Sequence, residues 1–130
     1  MPLSFSFILP PPYIMKQKQI LIWRNDLKVR KGKFAAQLAH ASLKATLDNL
    51  EHPNVKQWLS EAFTKIVVRV ENEEELFEVL SNAKAAGLIS ALITDSGLTE
   101  FNGVPTNTCI AVGPATQEEL EPITGHLKLL

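Results

Sequence analysis

The sequence predicts an α/β fold in three layers, with a mixed sheet of about four strands and helices on both faces. Short apolar runs rich in β-branched residues alternate along the chain with amphipathic segments of helical period. Residues 64–94 contain a strand, a capped helix and a second strand, which is the βαβ pattern. The chain has 130 residues, 45% of them apolar and 21% charged, and is therefore long enough for one core.

Residues 1–15 differ from the rest of the chain, because they contain no charged residue and four prolines. They lack the cationic start and uninterrupted apolar run of a secretory signal, and Pro10–Pro12 interrupt them too early for a membrane span. We therefore expect a disordered N-terminal extension over 1–15 and a single domain over 16–130, with no membrane partner. The first buried strand is predicted at Gln19–Arg24.

The segment 28–44 predicts a basic loop that leads into a helix. Lys28, Arg30 and Lys31, which we call the basic loop, precede Gly32, and no proline, glycine or β-branched residue follows before residue 45. A helical period gives this segment a polar stripe of Lys33, Gln37, His40 and Lys44, and an apolar side of Phe34, Ala35, Leu38, Ala39, Leu43, Leu47 and Leu50. Because free N–H groups point outward at a helix start, the stripe indicates an anion site, with a solvated polar face as the alternative.

The middle of the chain predicts a short helix, a strand and a capped helix. Pro53 suits the first turn of the short helix, and residues 64–70 alternate as a second strand does. Asn72 and Glu75 form a capping-box pattern at the start of a helix that ends at Gly87. The residues expected to point inward from that helix are Leu76, Phe77, Val79, Leu80 and Ala83.

The last part of the chain predicts two more strands and a final helix. Residues 88–94 form the third strand, parallel to the second, and residues 108–112 form the fourth, closed by Gly113-Pro114. Thr116 with Glu119 predicts a second capping box, for a helix that ends at about residue 124. The apolar tail 125–130 is expected to pack back on the core.

A candidate active site follows from where these strands end. Ligands of open α/β sheets bind outside the carboxyl ends of the strands, where Asp95 and Thr99 follow the third strand and Lys33 begins the first helix. Asp95 could orient or deprotonate a water, and Lys33 with hydroxyl donors could stabilise an oxyanion. The alternative is structural, since Asp95-Ser96-Gly97 is also typical of a turn.

Other chemistry is less well supported by the sequence. The net charge is −1, although seven of the thirteen Lys and Arg residues lie between Lys16 and Lys33, which suits a local polyanion contact. Cys109 is the only cysteine, is expected to be a core thiol, and fits a reducing cytoplasm. His40, His52 and His126 lack the spacing of zinc ligands, so no metal is expected.

Four segments resemble the type 2 peptidyl-tRNA hydrolases in order and spacing. They read RNDLKVRKGKFAAQLAHAS at 24–42, DSGLTE at 95–100, TNTCIAVGP at 106–114 and ITGHLKLL at 123–130. The resemblance covers about residues 18–130 and implies a four-stranded mixed α/β fold. It also implies cofactor-free cleavage of the ester between peptide and tRNA, which recycles tRNA for translation.

The family's functional residues correspond here to Lys33, Asp95, Thr99 and Thr108, with Gln37 and His40 in the same helix motif. We expect Gln37 and His40 to bind the substrate together with the basic loop. Leu98 and Glu100 stand where many members have arginine and glutamine, a change that implies weaker phosphate contacts. Two alternatives stay open at this point: a tRNA-binding or protein-interaction module without turnover, and a hydrolase of another nucleotide-linked ester. The oligomeric state is also open, with a homodimer among the options.

Overall fold

The computed structural model describes residues 16–97 and 101–130, so the expected extension over 1–15 and the site-loop residues 98–100 lie outside the described residues. Helices and strands alternate through the described part of the chain. In chain order they are β1 (Lys18–Arg24), α1 (Lys31–Leu47), α2 (Pro53–Ser60), β2 (Lys65–Val70), α3 (Glu73–Ala85), β3 (Ser90–Asp95), β4 (Thr106–Ala115), α4 (Gln117–Thr124) and β5 (Lys128–Leu129).

The five strands form one mixed sheet in the order β3-β4-β1-β2-β5. β1 pairs in parallel with β2, while β4 runs antiparallel to both β1 and β3. β2 and β3 therefore run in the same direction, as the βαβ pattern predicts, but β1 and β4 lie between them. The sequence indicates four main strands, and the tail adds a short fifth one in which Leu129 pairs with Val68.

The sheet has a hydrophobic core on each face, which confirms the predicted three layers. On one face α3 and α4 cover Ile22, Val70 and Ile110, all at most 1% exposed. On the other face α1 and α2 cover a second core whose buried members are Leu21, Trp23, Leu38, Ala41, Ala45, Val55, Ile89, Ala91, Cys109 and Ala111. None of the helices in the described part of the chain combines the length and apolar character that a membrane crossing requires.

The predicted helix starts are confirmed by their caps. Asn72 accepts a hydrogen bond from the Glu75 N–H at 2.9 Å, and Thr116 with Glu119 forms a complete capping box. Pro53 is the first residue of α2, and the neighbouring His52 ring caps that helix by accepting from the Asn54 N–H. These interactions are local, so the sequence spacing is enough to specify them.

Three predictions about packing and strand ends are wrong. Phe77 is 39% exposed, because the buried face of α3 is narrower than expected. The apolar side expected for the first helix is largely exposed, including Leu43 and Leu47, since α1 packs on the sheet through a stripe of mostly smaller side chains. Leu50 lies beyond the end of α1 and is also exposed. Residues 113–114 do not end β4: Gly113 adopts a left-handed conformation at φ +97°, and pairing with β1 resumes two residues later.

Candidate active site

Lys33 and Asp95 meet at the carboxyl-end rim of the sheet. The Lys33 Nζ atom lies 2.5 Å from Asp95 Oδ1, and the two side chains are only 21% and 11% exposed. Lys33 is in the first turn of α1, and Asp95 is the last residue of β3. The parallel strands β1 and β3 end at this rim, and the loop after β1 leads directly into α1. The convergence predicted from the strand ends is therefore confirmed.

Asp95 is held as a carboxylate by two donors. Lys33 donates to one oxygen, and the Gly97 N–H donates to the other at 2.8 Å. The hydrogen bond from Lys33 is the main cause that lowers the pKa of Asp95 below its ordinary value, and burial opposes it only in part. Asp95 is therefore ionised at neutral pH and acts as a hydrogen-bond acceptor only.

Gly97 is required where it lies, because its backbone fits closely against the returning loop. Its φ is +86°, and a Cβ added to it would lie 2.2 Å from the Val104 carbonyl oxygen. The same glycine accepts a hydrogen bond from the Gly103 N–H at 2.7 Å. The Asp-x-Gly segment thus forms a turn, as the structural alternative predicts, and that turn also fixes the carboxylate toward Lys33.

A buried polar contact lies beneath the ion pair. Gln37 is 3% exposed, and its Nε2 donates to Thr108 Oγ1 at 3.0 Å. The Thr108 hydroxyl is fully buried and donates its single proton to the Ile93 carbonyl, 3.2 Å away. Gln37 Oε1 has no hydrogen-bond partner within 16–97 and 101–130, and it is not among the buried unsatisfied atoms there. Thr108 therefore orients the Gln37 amide so that its oxygen is available to a ligand.

Cys109 is a core thiol, as predicted, and not a nucleophile. It is fully buried, and burial raises its pKa to about 11. Its Sγ donates to the Gln37 backbone carbonyl at 3.4 Å, so it ties α1 to β4 just below the site.

A groove of about 460 Å³ extends from the ion pair along β3. One wall is the predicted polar stripe of α1, and the other wall is the end of β3 with Ser96. The lining residues are Lys33, Gln37, His40, Lys44, Leu92, Ile93, Thr94, Asp95 and Ser96. The stripe therefore forms one wall of this groove, with Gln37 buried and His40 and Lys44 exposed.

The remaining predicted residues lie at or beyond the edge of this groove. The basic loop is exposed and lies at the N-terminal end of α1, outside the groove lining. Lys28 and Lys31 have no carboxylate partner in the part of the chain that the structure describes. Thr99 lies outside the described residues, as do Leu98 and Glu100. In the described ranges, no three His, Cys, Asp or Glu side chains come together as a metal site.

Sequence reasoning missed two contributors to the site. Gly97 donates to Asp95, and Ile93 provides the carbonyl that accepts from Thr108. Lys44, a member of the predicted stripe, also lines the groove. The Asp-x-Gly spacing was the available signal for Gly97. Nothing local could indicate the Ile93 carbonyl, because that contact depends on the pairing of β3 with β4.

Comparison with known proteins places this geometry in a family. The family model described as "Peptidyl-tRNA hydrolase PTH2" matches residues 17–130. A curated peptidyl-tRNA hydrolase of Thermococcus onnurineus is 46% identical over 121 residues, which are 90% of this chain and all of that protein. Those of Methanopyrus kandleri and Methanocaldococcus jannaschii are 46% and 42% identical, over 87% of this chain and 97% and 99% of theirs. The chain therefore belongs to the PTH2 family of peptidyl-tRNA hydrolases.

Proposed function

We propose that this protein hydrolyses the ester between peptide and tRNA in peptidyl-tRNA, and that Lys33 and Asp95 are at the centre of the reaction. Membership of the PTH2 family supports the reaction. The contact between Lys33 Nζ and Asp95 Oδ1 is the observation that supports the site, because it joins a cation and a carboxylate at the end of an open groove.

Lys33 and Asp95 have distinct roles in the proposed reaction. Water attacks the ester carbonyl carbon, negative charge develops on the carbonyl oxygen, and the Lys33 ammonium stabilises that charge. The bond from this carbon to the ribose oxygen then breaks, and the ribose oxygen takes up the proton that the water loses, so that the products are a peptide with a free carboxyl group and a tRNA with a free hydroxyl. Asp95 accepts a hydrogen bond from the attacking water and keeps Lys33 in place. Its lowered pKa makes it a weak base, so orienting the water contributes more than removing a proton from it.

Gln37 and Thr108 support this arrangement in the proposal. Gln37 presents Oε1 toward the groove, where it can accept a hydrogen bond from the water or the substrate. Thr108 is a positioning residue, since its hydroxyl is buried and already bonded to Gln37 and Ile93. The role of Thr99 as a hydroxyl donor stays a prediction from the family resemblance. His40 lies in the groove wall and is assigned to substrate binding.

The basic loop is assigned to the phosphates of the tRNA. Its lysines are exposed and lie beside the start of α1, where no side chain caps the free N–H groups among the described residues. Phosphate contacts are independent of sequence, which suits an enzyme that must accept many tRNAs. The substrate arises in translation, so the proposed compartment is the cytoplasm. A homodimer stays a prediction, and analytical ultracentrifugation decides it.

The deciding experiment measures release of free tRNA from a purified peptidyl-tRNA. Wild-type protein should release tRNA and peptide without added metal or cofactor. Lys33→Ala should retain binding of the substrate and lose about 10²–10³ in single-turnover rate. Binding without any release by the wild-type protein would contradict the proposal and favour a binding module.

A further inference from the structure

The outer edge of β3 is unpaired in the described part of the chain. β3 is the first strand of the sheet order, and its only partner there is β4. The Gly113 N–H donates to the Ile89 carbonyl at 2.8 Å, in register with the β3–β4 ladder. Because bonded residues alternate in an antiparallel pair, Ala91 and Ile93 face β4, whereas Ser90 and Leu92 direct their N–H and C=O groups outward.

This free edge lies beside the groove that ends at the ion pair. Leu92 and Lys44 line the groove at one end, and Asp95 and Lys33 lie at the other. Leu92 is three residues from Asp95, which corresponds to about 10 Å along a strand. The groove is therefore long enough for about three residues of extended chain beside β3. Unpaired strand edges are templates for pairing with another strand, and β3 has neither proline nor lysine to prevent it.

The charges of the groove favour an uncharged occupant. Lys33 is paired with Asp95, and Lys44 is paired with Asp48 at 3.1 Å. The two groove lysines are thus already balanced by carboxylates. The basic loop lysines, Lys28 and Lys31, have no such partner in the described ranges. The unpaired charges of the basic loop lysines suit a phosphodiester chain, whereas the balanced charges of the groove suit a neutral peptide backbone.

We propose that the groove binds the peptide part of the substrate as an added strand on β3. The inference rests on the proposed function, which places the scissile ester at Lys33 and Asp95. The carboxyl end of the peptide then lies at the carboxyl end of β3, so the added strand runs parallel to β3. Its hydrogen bonds are made with the outward backbone groups of Leu92 and, for longer peptides, of Ser90.

Backbone pairing explains how one site would accept nascent peptides of any sequence. In strand addition the main-chain hydrogen bonds provide the affinity, and side-chain pockets provide the selectivity. This groove offers a backbone edge along β3. A single aminoacyl group would be too short to reach Leu92, so the site would favour peptidyl-tRNA over aminoacyl-tRNA.

The first test uses the substrate. A set of tetrapeptidyl-tRNAs of one sequence is prepared, each with a single N-methylated amide, together with the unmethylated parent and a short N-acetylaminoacyl-tRNA. Only alternate amides of an added strand face β3, so methylation should lower kcat/KM by about tenfold at alternate positions and little between them. An equal effect at every position, or none, would overturn the proposal. Cleavage of the short substrate reports the hydrolase activity independently of strand addition. Failure of the proposed hydrolase function can therefore be distinguished from failure of the proposed peptide-binding mode.

The second test uses the protein. Leu92→Pro removes the outward N–H without breaking the ladder to β4, and Leu92→Ala is the matched control that removes the side chain alone. With the tetrapeptidyl substrate, the proline variant should lose about three- to tenfold more kcat/KM than the alanine variant. With the short substrate the two variants should lose the same amount of kcat/KM, and thermal melts of both verify that they are folded, because Leu92 packs partly buried against the core. If Leu92→Pro lost the same additional kcat/KM relative to Leu92→Ala on both substrates, the proposal would be overturned. It would also be overturned if Lys44→Ala bound deacylated tRNA more weakly and none of the N-methylated peptides changed kcat/KM, because the groove would then bind nucleic acid.

Discussion

Replacement of Asp95 by asparagine should separate the chemistry of the site from its structure. The change keeps the shape of the side chain but replaces two carboxylate oxygens by one oxygen and one amide nitrogen. In the wild type, Asp95 accepts hydrogen bonds from Lys33 Nζ at 2.5 Å and from the Gly97 N–H at 2.8 Å. The Gly97 N–H is fixed by the backbone, so the single oxygen of asparagine should stay with it and Lys33 should be released.

The expected magnitudes follow from these contacts. Turnover should fall by about 10²–10⁴, the usual scale for losing a positioned acid–base or water-orienting group. A hydrogen bond to a charged group contributes about 1.5–3 kcal/mol, and partial exposure of Lys33 reduces this toward the value of a screened pair. We therefore expect a loss of about 1–2 kcal/mol in the free energy of unfolding and a fall in Tm of about 3–8 °C.

The assay combines single-turnover cleavage of peptidyl-tRNA with thermal melts. Asp26→Asn is the matched control, because Asp26 also pairs with a cation, Arg24, at 2.8 Å, but lies outside the groove. It should lose a similar amount of stability, because Arg24 donates to both Asp26 oxygens, but it should keep its turnover. A combined variant of Lys33→Ala with Asp95→Asn should lose less than the product of the single losses, since both residues act in one transition state. Near-normal cleavage by Asp95→Asn would reduce Asp95 to a turn-forming residue.

The stability difference between wild type and Asp95→Asn should also depend on pH. Because the pKa of Asp95 is lowered in the folded state, its ionised form stabilises the fold above the ordinary pKa of 3.8. This contribution should be lost as the pH falls through the folded pKa. Melts of both proteins between pH 7 and pH 2.5 should show the Tm gap shrinking only below about pH 4. A gap that is constant over this range would mean that the carboxylate charge is not what stabilises the wild type.

Three further changes test the surroundings of the site. Alanine at both basic loop lysines should weaken tRNA binding and lower the salt slope by about 2, whereas alanine at Lys65 and Lys84, on the opposite rim, should leave the slope unchanged in filter-binding titrations. Thr108→Val should release the Gln37 amide and lower the single-turnover rate by about three- to thirtyfold, and it should cost about 1–3 kcal/mol because the buried Gln37 donor loses its partner; Thr108→Ser should restore both the rate and the Tm. Gly97→Ala should destabilise the fold and abolish cleavage because its Cβ meets the backbone of the returning loop. Gly103→Ala, which meets nothing within 4 Å, should cost only about 1–2 kcal/mol in urea unfolding.

Local interactions determined the helices, and the sequence was enough to predict them. The capping pairs Asn72–Glu75 and Thr116–Glu119 join residues three positions apart, so their spacing specifies the helix starts wherever the helices pack. The polar stripe of α1 is likewise a property of helical period alone. The general position of the site also followed from the sequence, because the carboxyl ends of the strands are where an α/β sheet binds ligands.

Only the tertiary structure decided which faces are buried and which strands are neighbours. Helical period identifies a stripe but not the partner that covers it, so the exposure of Leu43 and the burial of Gln37 depend on how α1 packs on β3 and β4. Strand order is a long-range property: β4 lies between β3 and β1, and β3 is therefore at the edge of the sheet. The Lys33–Asp95 contact joins residues 62 positions apart, and its distance and hydrogen-bond partners were set by that strand order. Such contacts depend on the packing free energy of the whole sheet, which no single segment of the chain contains.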